Sequence, residues 1–92
     1  MEQEAMNIVI YSKPNCPWCV KAKELMNKLH LKYEEKILEV DYTRDDLKEL
    51  IYGDKYIGMA QPITVPQIVI DGHRVGGYED FTEWCDNHGF AE

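Results

Sequence analysis

Apolar and polar positions change their period several times along this chain, and each change marks an expected element. The run Asn7-Ile8-Val9-Ile10-Tyr11 is rich in β-branched residues and predicts a buried strand. After a loop over residues 12–15 the period becomes helical. Ala22, Leu25, Met26 and Leu29 share one face, while Lys21, Lys23, Glu24 and Lys28 cover the others. Pro17 suits the first helical position, where its missing N–H has no intrahelical partner to lose, and the helix is expected to run to about His30. Leu38 and Val40 then alternate, which predicts a strand over residues 36–41. Thr43 offers a helix N-cap with Asp45 and Asp46 in the first turn, Leu47, Leu50 and Ile51 supply an apolar stripe, and Gly53 offers the stop.

Residues 54–64 show no period and read as a loop. Val65-Pro66-Gln67-Ile68-Val69-Ile70 predicts a second apolar strand, Asp71-Gly72 a tight turn, and His73-Arg74-Val75 the returning strand of a hairpin. Gly76-Gly77 interrupts it. Phe81, Trp84, Cys85 and His88 then recur at helical spacing before Gly89. The predicted order is β-α-β-α-β-β-α, an α/β domain. Its first βαβ unit requires a parallel pair and its hairpin an antiparallel one, giving a four-stranded mixed sheet with three helices on its two faces.

Ninety-two residues suffice for a single domain spanning the chain, and the 45% hydrophobic and 29% charged shares are those of a globular protein. Residues 1–6 carry Glu2 and Glu4 without an apolar core, so they read as a flexible tail rather than a secretory signal. A net charge of −7, from 17 acids and 10 bases, disfavours nucleic acid and anionic membranes as partners. No apolar run is long enough to span a bilayer. A cytoplasmic monomer is the expectation.

Three cysteines are an odd number for a closed disulfide framework. Cys85 lies on the apolar stripe of the last helix and reads as a small buried hydrophobe. Cys16 and Cys19 form a C-x-x-C pair at the strand-to-helix junction. A thiol at a helix start meets unpaired N–H groups and the positive end of the macrodipole, and Lys13 adds a nearby cation. These favour the thiolate, so Cys16 is the expected nucleophile, and Cys19, one turn further in, is placed to resolve a mixed disulfide. Two other readings of the pair remain: half of a zinc site, with His30, His73, His88 and Cys85 as scattered candidate ligands, or a structural disulfide.

Three blocks together, Lys13-Pro14-Asn15-Cys16-Pro17-Trp18-Cys19, Thr64-Val65-Pro66-Gln67-Ile68 and Gly76-Gly77-Tyr78-Glu79-Asp80-Phe81, resemble the signatures of dithiol glutaredoxins. The likeness runs from Asn7 to about Gly89 and is greatest to the short bacterial and bacteriophage members. It implies a thioredoxin-like fold and glutathione-dependent reduction of protein disulfides and glutathione mixed disulfides, with Cys16 attacking and Cys19 resolving. Ribonucleotide reductase is one acceptor it suggests, and it implies no metal.

The resemblance also assigns a glutathione groove. Pro66 is expected to be cis, with Thr64 and the Val65 backbone beside the sulfurs, where Val65 pairs with the cysteinyl unit. Gly77, Glu79 and Asp80 hold the γ-glutamyl end, Lys13 the glycyl carboxylate, and Trp18 and Tyr78 wall the groove. Trp18 stands where the family most often has tyrosine, and Glu79 adds a carboxylate that weakens glutathione binding. A second cation for the glycyl end is left among Arg44, Lys48 and Lys55. Two alternatives stand beside this reading: a thioredoxin-like hydrogen donor fed by thioredoxin reductase, and a dimer holding an iron–sulfur cluster through Cys16 and glutathione. The rigid Pro17 after the nucleophile argues against the second.

Overall fold

A computed structural model describes residues 6–53 and 62–90. These form strands β1 (Ile8–Ser12), β2 (Glu34–Ile37), β3 (Gln67–Ile70) and β4 (His73–Gly76) and helices α1 (Pro17–Lys28), α2 (Arg44–Tyr52) and α3 (Tyr78–Asn87), in the predicted order. The sheet runs β2-β1-β3-β4. β1 and β2 are parallel, and the β1–β3 and β3–β4 pairs are antiparallel.

Alternation along the central strands decides which side chains meet. Ile8 and Ile10 of β1 and Ile68 and Ile70 of β3 point to one face, where they pack with Ala22, Leu25 and Met26 of α1 and Phe81 and Cys85 of α3. Phe81, Ile10, Met26 and Ile68 are fully enclosed, and burying such a side chain contributes roughly 1.5–3 kcal/mol. Tyr11 lies on the other face and shares a surface hollow with Asp46, Glu49 and Leu50, so α2 covers that side. Helices therefore flank both faces of the sheet.

α2 begins as predicted. Thr43 Oγ1 accepts from Asp46 N at 3.2 Å, and an Asp46 carboxylate oxygen accepts from Thr43 N at 2.9 Å, a reciprocal capping box. The hairpin also matches: Asp71 and Gly72 take φ of +51° and +84°, the pair of positive values that twists two strands into register.

Several boundaries differ from the prediction, and β1 is shifted by one residue to Ile8–Ser12. β2 occupies Glu34–Ile37 instead of residues 36–41. Beyond Ile37 the backbone turns, because Val40 N and Asp41 N both donate to Ile37 O, at 3.0 and 2.7 Å. Val40 is left 75% exposed, and Tyr42 takes the buried position instead. β2 is an edge strand, and edges carry charge. Its Glu35 accepts from Lys23 Nζ and from Ser12 Oγ, both at 2.8 Å, and the Lys23 contact holds its carboxyl below the usual range.

The first helix ends at Lys28 rather than His30. His30 takes φ +60°, His30 N donates to Asn27 O and Leu31 N to Met26 O, which closes the helix in a Schellman turn. β3 starts at Gln67 rather than Val65, and β4 runs on to Gly76 rather than stopping at Val75. Pairing slips between Ile68 and Val69, which face Gly76 and Arg74 and leave Val75 as an extra residue. Among the described residues no helix is long and apolar enough to cross a membrane.

Candidate active site

The turn after β1 sets the position of the first cysteine. Asn15 adopts φ +58°, and Cys16 follows in extended conformation as the N-cap of α1, with Pro17 in the first helical turn. Cys16 Sγ accepts from Cys19 N at 3.2 Å, so the sulfur itself takes up one of the orphan donors of the helix start. The first turn of α1 holds no acidic residue to oppose a negative sulfur. Cys16 and Cys19 are joined in a disulfide, with Cα atoms 5.2 Å apart. Cys16 is 6% exposed and lines a hollow, whereas Cys19 is 1% exposed. An incoming thiolate reaches the Cys16 sulfur.

The hollow that Cys16 lines and a second one share Trp18, Thr64 and Val65 as a common wall. The smaller, of about 380 Å³, runs past Lys13, Asn15, Cys16, Arg44 and Ile63, and among the described residues its two charged lining residues are both cations. The larger, of about 550 Å³, is bounded by Pro66, Gln67, Arg74 and the start of α3 from Gly77 to Asp80. The Trp18 and Tyr78 rings lie 5.6 Å apart and close one side, and Lys21 Nζ sits 5.5 Å from the Trp18 ring centre.

Opposite the disulfide, the Val65–Pro66 peptide is cis, as expected, and Val65 O lies 3.9 Å from Cys16 Sγ. This loop is tied from below. Gln67 Nε2 donates to both Thr64 O and Thr64 Oγ1 at 3.1 Å, and Arg74 Nη1 donates to Gln67 Oε1 at 3.2 Å. At the far end Asp80 Oδ2 accepts from Gly77 N at 3.1 Å, capping α3. A Cβ on Gly76 would run into that carboxylate, coming within 2.8 Å of its carbon, and Gly76 has φ +124°.

Every residue expected at the groove borders one hollow or the other: Lys13 the smaller, Trp18, Thr64 and Val65 both, and Pro66, Gly77, Tyr78, Glu79 and Asp80 the larger. Of the candidate second cations, Arg44 borders the smaller hollow. Lys48 is 7% exposed and borders neither, and Lys55 falls outside the described residues. Gln67 and Arg74 were not expected there. Arg74 lies on an edge strand two positions before the Gly76-Gly77 turn, and the bulge at Val75 upsets the simple alternation that would have oriented it. Cys85 is 3% exposed, and burial, followed by nearby Asp86, pushes its thiol up, consistent with a core role. Among the described residues no group of three or more His, Cys, Asp or Glu side chains is placed to hold a metal ion.

A βαβ unit whose first helix starts on a C-x-x-C disulfide, faced by a cis-proline loop, defines a thioredoxin-like dithiol–disulfide protein. Comparison with known proteins narrows the class. The sequence profile of the Glutaredoxin family matches residues 8–75. Glutaredoxin 1 of Escherichia coli is 34% identical over 80 residues, covering 86% of this chain and 92% of that protein. Glutaredoxin-C8 of rice is 38% identical over 80 residues, and the match spans 87% of this chain but only 57% of the rice protein. The crystal structure of glutaredoxin 1 from Francisella tularensis, complexed with cacodylate, superposes with a TM-score of 0.71 at 27% identity, covering 91% of this chain and 96% of that one. The chain belongs to the glutaredoxin family and is a thiol–disulfide oxidoreductase.

Proposed function

We propose that the reductant is glutathione, and that the protein passes its electrons to protein disulfides and to glutathione mixed disulfides. The observation that carries this reading is the placement of Cys16 where a hollow with two cations meets one that ends at a helix start. Glutathione has a carboxylate at one end and a free α-amino acid at the other. Lys13 and Arg44 match the glycyl carboxylate, the N–H groups and Asp80 at the start of α3 match the γ-glutamyl end, and the Val65 backbone lies beside the cysteinyl unit as in strand addition.

In the forward direction the Cys16 thiolate attacks a substrate disulfide. A Cys16 mixed disulfide forms and one substrate thiolate leaves. Cys19 then attacks Cys16 Sγ, the internal disulfide closes, and the second substrate thiolate leaves. One glutathione reopens the pair at Cys16, releasing the Cys19 thiolate. A second takes the first away as glutathione disulfide, so two electrons pass per cycle. Ribonucleotide reductase, as an enzyme whose active disulfide must be re-reduced, is one acceptor in this proposal, and a reducing compartment such as the cytoplasm is its setting.

Parallel turnover assays test the reductant, one with glutathione and its reductase, the other with thioredoxin reductase. Turnover with glutathione is expected. Turnover only with thioredoxin reductase would overturn the reading and leave a thioredoxin-like hydrogen donor. Treating the Cys19→Ser protein with glutathione disulfide should leave one glutathione on Cys16, read by mass spectrometry.

A further inference from the structure

Arg74 is a cation at the γ-glutamyl side of the groove that the sequence signatures do not account for. Its guanidinium is held in place: Nη1 donates to Gln67 Oε1 at 3.2 Å. Gln67 is 4% exposed and cannot turn over. Thr64 O only accepts, so the amide nitrogen must face Thr64, and the amide oxygen must face the arginine, which only donates. A buried amide thus fixes one edge of the guanidinium, and Arg74 lines the groove together with Tyr78, Glu79 and Asp80.

Charge at that end calls for such a group. Glu79 and Asp80 put two carboxylates on the first turn of α3, and Gly77 N is already taken by Asp80. Among the described residues neither carboxylate makes an ion pair with Arg74. A ligand carboxylate entering here therefore meets two anions, with Arg74 the cation among the described lining residues. The γ-glutamyl end of glutathione is a zwitterion, carrying an ammonium as well as a carboxylate on one carbon.

We propose that Arg74, positioned by Gln67, binds the α-carboxylate of the γ-glutamyl unit while Asp80, with Glu79 behind it, takes the ammonium. The pair reads the free α-amino acid that only a γ-linkage leaves intact, and Arg74 offsets the extra carboxylate of Glu79. This inference rests on glutathione being the substrate.

The test uses one peptide carried as three mixed disulfides: with glutathione, with γ-aminobutyryl-Cys-Gly, which lacks only the α-carboxylate, and with cysteamine. The wild-type protein should show its lowest KM with glutathione. Arg74→Gln should raise that KM roughly tenfold to a hundredfold, the range for a hydrogen bond to a charged group, with kcat nearly unchanged. Its KM for the γ-aminobutyryl substrate should stay as in wild type. Arg74→Lys should recover part of the loss. An equal change on both tripeptides, or none on glutathione, would overturn the role of Arg74. A wild-type protein that handles cysteamine as well as glutathione would instead overturn the glutathione reading itself.

Discussion

Reactivity is settled at single residues. Cys16 is both the cap of α1 and the sulfur that borders the groove, whereas Cys19 is enclosed one turn deeper. Cys16→Ser should abolish all thiol transfer, because the other two cysteines, Cys19 and Cys85, are buried. Cys19→Ser should keep removal of glutathione from mixed disulfides and lose reduction of protein disulfides by the dithiol route. Loss of both activities in Cys19→Ser would show that the two sulfurs do not divide the work this way. Gly76 makes a second residue-scale case. A methyl group there meets the Asp80 carboxylate and forces φ +124° on a residue with a Cβ. Gly76→Ala should cost about 1–3 kcal/mol in denaturant unfolding and raise the KM for glutathionylated peptide, because the same carboxylate caps α3 and borders the groove. Stability and KM both unchanged would mean the contact is slack.

Among the elements, the end of β1 is the point on which several others converge. Ser12 is 1% exposed, its hydroxyl donates to Glu35 of β2, and its carbonyl accepts from Leu38 N at 2.9 Å and from the Tyr42 hydroxyl at 2.7 Å. Burial, with a smaller contribution from Tyr11, pushes the Tyr42 hydroxyl up from 10.0 to about 12. A raised folded-state value means that the stabilisation is complete below the unfolded value and is lost as pH rises toward the folded one. Unfolding free energy should therefore fall between about pH 10 and 12, and the fall should be shallower in Tyr42→Phe. An identical alkaline profile in the two proteins would refute this assignment. The same region shows why strand β2 was misplaced by pattern alone. Leu38 and Val40 alternate like a strand, but their backbone turns, and the true strand is the charged Glu34–Ile37, whose polarity reflects its edge position. Where an element is half-buried, as with α1, α2 and α3, the period identifies it. Helix ends closed by a Schellman turn at His30 carry a weaker signal, because a histidine rather than a glycine takes the positive φ.

At the scale of the molecule, the site is assembled from segments far apart in sequence. Residues near 13–19, 64–67 and 74–80 are joined by the sheet order β2-β1-β3-β4, which sets β1 beside β3 and β3 beside β4. The cysteine pair, the proline loop and the glycine turn were legible because each has its own local signature. Gln67 and Arg74 were not, since their roles arise from a contact across two strands and a bulge that shifts the register. The chain carries a net charge of −7, yet among the described residues the hollow beside Cys16 is lined by Lys13 and Arg44 without an acid. Cations there, together with the start of α1, favour a negative sulfur. The most direct test is alkylation of the fully reduced protein with limiting iodoacetamide, followed by peptide mass spectrometry across a range of pH. Label should appear first on Cys16, at a rate that declines little from about pH 8 to about pH 6.5, while free cysteine slows about tenfold per pH unit. Label arriving first on Cys19 or Cys85, or a Cys16 rate that falls with pH as steeply as that of free cysteine, would contradict the account.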